Sequence, residues 1–128
     1  MQIRVGEPIV IEAIPEGNRY GVVFEDDGET GYLYGLDQTQ QQMPIVDAML
    51  IYGVSEASRG NELTLKILWN TDGTGATLFA DDAPQAVVDF ALSQACCRSG
   101  FPRALQQGWG VSHDWDDAVF WRVNSHGA

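Results

Sequence analysis

Four carboxylates crowd one short stretch of this chain: Glu25, Asp26, Asp27 and Glu29, inside the run VVFEDDGETGYLY from Val22 to Tyr34. Such a density suits a hard divalent cation, because Ca²⁺ collects several carboxylate and carbonyl oxygens. The spacing does not fit an EF-hand loop. With Gly28 as the invariant glycine, the first ligand would be Val23, whose side chain has no oxygen. The same charges would steer a basic protein surface toward the chain. The plain alternative is a solvated hairpin tip.

A second cluster joins His113 to Asp114, Asp116 and Asp117. Histidine beside carboxylates has the composition of a general base or a metal ligand. No HExxH or HxH spacing supports either role, and the other histidine, His126, lies in the terminal Ser-His-Gly-Ala. A capped turn with Trp115 packed inward accounts for these residues more economically. In Cys96-Cys97-Arg98 the arginine would favour a thiolate, but paired small hydrophobes explain the cysteines equally well. Adjacent cysteines close a strained ring and rarely bridge. No GxSxG elbow and no Walker lysine occurs. The sequence therefore assigns no catalytic residue, no metal site and no cofactor. The residues it offers for partner binding are Glu25, Asp26, Asp27, Glu29, Trp109, Trp115, Asp116 and Asp117. Trp109, between Gly108 and Gly110, has the setting of an exposed aromatic anchor.

The elements that must position these residues read mostly as strands. Glu7–Ile14 is rich in isoleucine and valine, and a Pro15–Asn18 turn follows it. Arg19–Glu25 and Thr30–Leu36 form a hairpin. If Asp27-Gly28 is its two-residue loop, Asp26 faces Glu29, Phe24 faces Gly31 and Val23 faces Tyr32. Gly31 would then leave room for the Phe24 ring. After a glutamine-rich loop, Ile45–Val54 is part strand, with Asp47–Leu50 open to a helical turn. Leu63, Leu65, Ile67 and Trp69 alternate with Thr64, Lys66 and Leu68. The Asp72-Gly73 turn then sets Trp69 against Ala76, Ile67 against Leu78 and Leu65 against Ala80. Over Asp82–Cys97 two readings compete. One is a helix capped by Asp82 with Pro84 in its first turn. The other is a strand from Ala86 returning through Cys96 and Cys97. In Ser112–Val123, either Ser112-His113-Asp114 caps a short helix or Val119–Val123 adds a last strand.

The chain has 128 residues, the length of one domain with one sizeable core. Eighteen acidic against seven basic residues give a net charge of −11, which disfavours nucleic acid and anionic membrane as partners. Two adjacent cysteines, no signal-peptide pattern at the N-terminus and no long apolar run together suggest a cytoplasmic protein.

The ordered set VVFEDDGETGYLYGLD, VDAMLIYGV, LKILWNTDGTGATLFADDAPQAVVDF, CRSGFP and HDWDD resembles the domain-of-unknown-function 2251 family of small bacterial proteins. The likeness runs from about Val22 to Asp117. It implies no activity, cofactor or catalytic residue. It favours the strand reading of Ala86–Phe90, although Ala91–Ala95 departs toward helix.

The expected fold is mostly β, an antiparallel sheet or sandwich of about six to eight strands with little helix. The alternative is α+β with a helix at about 83–97. The expected function is a non-enzymatic protein-binding module for a basic partner, immunity-like in charge and size. A small-ligand or divalent-metal domain and a structural homodimer are the other readings.

Overall fold

Period-two alternation dominates this chain. The computed structural model, which describes residues 1–103 and 112–124, resolves it into nine strands and two short helices. The strands are β1 (Gln2–Arg4), β2 (Ile9–Ala13), β3 (Tyr20–Asp26), β4 (Thr30–Asp37), β5 (Ile45–Gly53), β6 (Glu62–Trp69), β7 (Gly75–Ala80), β8 (Ala83–Asp89) and β9 (Gln94–Cys97). The helices are α1 (Val54–Ala57) and α2 (Asp117–Asn124). Strands β2-β3-β4-β5 form one antiparallel meander. Strands β6-β7-β8-β9 form a second, and β1 adds to its β6 edge. The mostly-β expectation holds. The three-residue β1, with little alternation to betray it, takes the strand number just past the expected range.

The two sheets share one core. Val22, Phe24, Leu33 and Met49 from the first meet Leu65, Leu78, Ala86, Val88 and Phe90 from the second. Burying a side chain such as Phe24 is worth about 1.5–3 kcal/mol. Tyr20, Phe90 and Trp69 stack within this core, with ring centroids 4.4 and 6.0 Å apart. At one corner the chain stitches the sheets together. The Leu50 amide donates to the Phe101 carbonyl, and the Ser99 hydroxyl donates to the Leu50 carbonyl at 2.7 Å. Helix α2 forms a third layer on the outer face of the five-stranded sheet, where Val119 and Val123 pack on Val87 and Cys96. Successive strand residues face opposite ways. Cys96 therefore enters the helix layer and Cys97 the inter-sheet core.

No helix occupies 83–97. Asp81 and Asp82, one the expected helix cap, instead form the two-residue loop between Ala80 and Ala83. Both have positive φ, 49° and 67°, as a type I′ hairpin requires and as aspartate tolerates. Strand β8 then runs as a buried core strand, and Val87, Val88 and Asp89 pair with Cys96, Ala95 and Gln94. The β6–β7 register is as the alternation implies, Trp69 on Ala76, Ile67 on Leu78 and Leu65 on Ala80. Strand β5 is extended throughout, with no helical turn at Asp47–Leu50. Ser112–Val123 resolves as a loop followed by helix α2, not a final strand.

The first hairpin differs from the two-residue-loop expectation. Asp26 pairs with Gly31, Phe24 with Leu33 and Val23 with Tyr34, so the register moves by two residues along β4. Asp27 is the reason. Its amide donates to the Thr30 carbonyl, and its Oδ1 accepts from the Glu29 and Thr30 amides, closing the four-residue turn from Asp27 to Thr30. A two-residue displacement leaves every side chain on its own face, so the core assignments survive. The ring above Gly31 belongs to Tyr52, not Phe24.

Candidate functional site

The turn that carries the acidic cluster divides its carboxylates. Asp26 is the last residue of β3 and faces inward, 1% exposed. It accepts from the Gly6 amide at 2.8 Å, the Gly28 amide at 2.8 Å and the Tyr52 hydroxyl at 2.6 Å. Its assignment to a partner-binding surface is therefore corrected: a carboxylate with three internal donors holds the turn together. Burial, then the hydrogen bond from Tyr52 to Asp26 and the Asp26 charge, push the Tyr52 phenol well above its ordinary pKa. Asp27 and Glu29 are exposed and Glu25 is half-buried. The amides of Thr30 and Glu29 hold the Asp27 carboxyl below its usual range.

These three carboxylates border the outer face of the four-stranded sheet. Cross-strand pairing places Val10, Glu25, Tyr32 and Leu50 in one row and Glu12, Val23, Tyr34 and Ala48 in the next. All eight are half-buried or exposed, while their neighbours in β3 and β4 are buried. The Tyr32 and Tyr34 rings stack with centroids 6.0 Å apart. Burial, followed by the charges of Glu25 and Asp27, raises the Tyr34 pKa. No element among the described residues covers this face, whereas α2 covers the outer face of the other sheet.

Beside the turn lies an open groove of about 730 Å³, lined among others by Glu29, Thr30, Leu50, Ile51, Glu56 and Ser99. The Val54 amide donates to the Glu29 carbonyl at 2.9 Å, which fixes α1 against the tip. Arg59 reaches the same tip from its other flank and donates to the carbonyls of Gly28 and Gly6.

The second cluster lies elsewhere. Asp116 caps α2, its Oδ1 accepting from the Ala118 amide at 2.9 Å. Asp117 accepts from the Trp115 indole at 2.8 Å. Both aspartates are exposed. Trp115 is half-buried, with the Arg98 guanidinium 3.6 Å above its ring and Phe120 beside it. These residues sit in the helix layer, across the five-stranded sheet from the acidic turn, so the seven described residues of the eight do not form one surface. Trp109 lies outside the described residues, as does His126. Trp121, 63% exposed on α2, is an aromatic that sequence reasoning did not single out.

Sequence reasoning also missed the role of His113. It is fully buried, not part of a cap. Its Nε2 meets both oxygens of Asp47 at 2.9 Å, and its Nδ1 meets the Pro102 carbonyl at 2.9 Å. Acceptors at both nitrogens select the doubly protonated ring and leave no free lone pair for a general base. Burial pushes the Cys96 thiol up, away from the reactive thiolate. Among the described residues, no three His, Cys, Asp or Glu side chains converge as a metal site.

The fold and this surface define a class: a small two-sheet β protein with one outer sheet face that no described element covers, beside an acidic turn. The chain belongs to the DUF2251 family, uncharacterised proteins conserved in bacteria, whose model matches residues 3–123. It is also similar to an uncharacterised protein of Haemophilus influenzae, 47% identical over 73 residues. That stretch covers 56% of this chain and 45% of the relative, so the chain spans about half the length of the curated relative it matches. No solved structure matches it. No helix among the described residues is long and apolar enough to cross a membrane.

Proposed function

We propose that this protein is a non-enzymatic binding module that receives a basic protein on the open face of its four-stranded sheet. The observation that carries this reading is the paired tyrosines, Tyr32 and Tyr34, bordered by Glu25, Asp27 and Glu29 on a face no described element covers. Aromatic side chains supply contact area at little entropic cost, and a charged rim steers encounter. A net charge of −11 makes a basic partner the favoured one and would slow an acidic one. The immunity-like version of this role, neutralising a basic toxin, rests on charge and size alone.

A tagged-protein pull-down from cell lysate at stepped salt tests the proposal. A partner retained at low salt should be released as salt rises. It should be lost on combined Glu25→Lys, Asp27→Lys and Glu29→Lys substitution, and on Tyr34→Ala. Retention unchanged by all four would remove this face as the interface. The divalent-cation reading has lost Asp26, which is turned inward. The homodimer reading needs a strand edge, and β2 lies at the border of its sheet among the described residues.

A further inference from the structure

The groove between the β3–β4 turn and α1 combines features that select one kind of side chain. Its floor is aliphatic, formed by Leu50 and Ile51. Its rim carries two exposed carboxylates, Glu29 from the turn and Glu56 from α1. The Glu56 carboxylate is folded back over Gly53. A Cβ at position 53 would fall within contact-breaking distance of Glu56 Oε2, although the Gly53 φ of −91° suits any residue. The Ser55 hydroxyl donates to the same Glu56 oxygen at 3.1 Å. The chain already lays one guanidinium against the other flank of the turn, where Arg59 donates to the Gly28 carbonyl at 3.1 Å. A groove lined by aliphatic side chains and two exposed carboxylates matches a long apolar stem ending in a planar, forked cation.

We infer that this groove takes an arginine side chain of the basic partner, its stem on Leu50 and Ile51 and its guanidinium between Glu29 and Glu56. The inference rests on the binding-module reading and sharpens it from a charged face to a subsite. Arginine is preferred over lysine because one guanidinium can hydrogen-bond two carboxylates at once, whereas an ammonium is a point charge.

Fluorescence anisotropy with labelled hexa-arginine and hexa-lysine peptides tests it. Hexa-arginine should bind more tightly. Its affinity should fall about tenfold in Glu56→Gln and in Ser55→Trp, which fills the groove and removes the Ser55 bond to Glu56 without changing charge. Glu16→Gln, at the opposite end of the sheet, should leave it unchanged. Equal losses in Glu16→Gln and Glu56→Gln, an unaffected Ser55→Trp, tighter hexa-lysine, or no peptide binding would each overturn the subsite. The pull-down repeated with charge reversal at Glu25 and Asp27 alone reports separately on the wider face. A partner lost there but retained by Ser55→Trp would leave the module standing without this groove.

Discussion

Both carboxylate oxygens of Asp47 lie 2.9 Å from Nε2 of His113, an ion pair closed across 66 residues and almost wholly withdrawn from water. It ties β5 to the segment before α2. The His113 carbonyl also accepts from the Cys97 amide, and its Nδ1 donates to Pro102. One residue thus joins β5 and the Phe101-Pro102 turn through its ring and β9 through its backbone. Removing one partner leaves the other charge buried and alone, which costs about 3–5 kcal/mol. Asp47→Asn and His113→Gln should each lower stability by that order in urea unfolding.

The same pair gives stability a dependence on alkaline pH. Burial lowers the His113 pKa, but the hydrogen bond and charge of Asp47 and the Pro102 carbonyl outweigh it and leave the value raised. A folded-state value above the unfolded one of about 6.5 means the native state binds the proton more tightly. The stabilisation is therefore complete below about pH 6.5 and disappears as pH rises through the folded-state value. Urea midpoints measured at steps from pH 6 to 10 should fall more for the native sequence than for His113→Gln. Parallel curves would remove His113 as the titrating group.

Asp37 works in the opposite direction. Its carboxylate accepts two hydrogen bonds from Arg19, at 3.0 and 2.9 Å, and two more from Thr39. The Arg19 bond first, then the Thr39 donors, hold its pKa well below the carboxylate range against the effect of burial. That stabilisation is present above about pH 3.9 and fades as pH falls toward the folded-state value. Asp37→Asn should flatten the acid limb of the stability curve, read by circular dichroism between pH 5 and 2.

The acidic turn should separate by mutation into a structural and a surface half. Asp26→Ala strands three internal donors and should cost about 3 kcal/mol. Glu29→Ala, on the exposed side, should change stability by less than about 0.5 kcal/mol. Chemical denaturation of the two variants side by side distinguishes the roles. Equal costs would mean Asp26 is not the internal anchor.

Gly31 leaves room for Tyr52. A Cβ there would lie 2.8 Å from the Tyr52 ring carbon that bears the hydroxyl. Gly31→Ala should push the ring away, break its 2.6 Å hydrogen bond to Asp26 and cost about 1–3 kcal/mol. Tyrosine absorbance titration offers a second reading, since a freed Tyr52 would ionise at lower pH than it does now.

How far the sequence could be read depended on how local each determinant is. The alternation Leu63, Leu65, Ile67, Trp69 and the turn after it were enough to place every partner in β7, because one buried face admits one register. The first hairpin shares the Asp-Gly signal but not the loop. Asp27 captures two amides with its side chain and lengthens the turn, which no pattern of hydrophobicity reports. The helical composition of 83–97 lost to burial. Ala86, Val87 and Val88 are each fully enclosed between the core and α2, where an extended strand packs both faces.

The sequence by itself determined the strand-rich class, the acidic charge, the β6–β7 hairpin and the family likeness, all carried by composition or by neighbours a few residues apart. Only the tertiary structure decided which aspartates are surface and which are anchors. Asp26, Asp37, Asp47 and Asp89 look no different in sequence from Asp27 or Asp117. Each is buried because a donor arrives from elsewhere in the fold: Gly6 and Tyr52, Arg19, His113 and Arg122. A carboxylate leaves water only when such partners replace its hydration, and those partners exist at that position only once the strands have paired and packed.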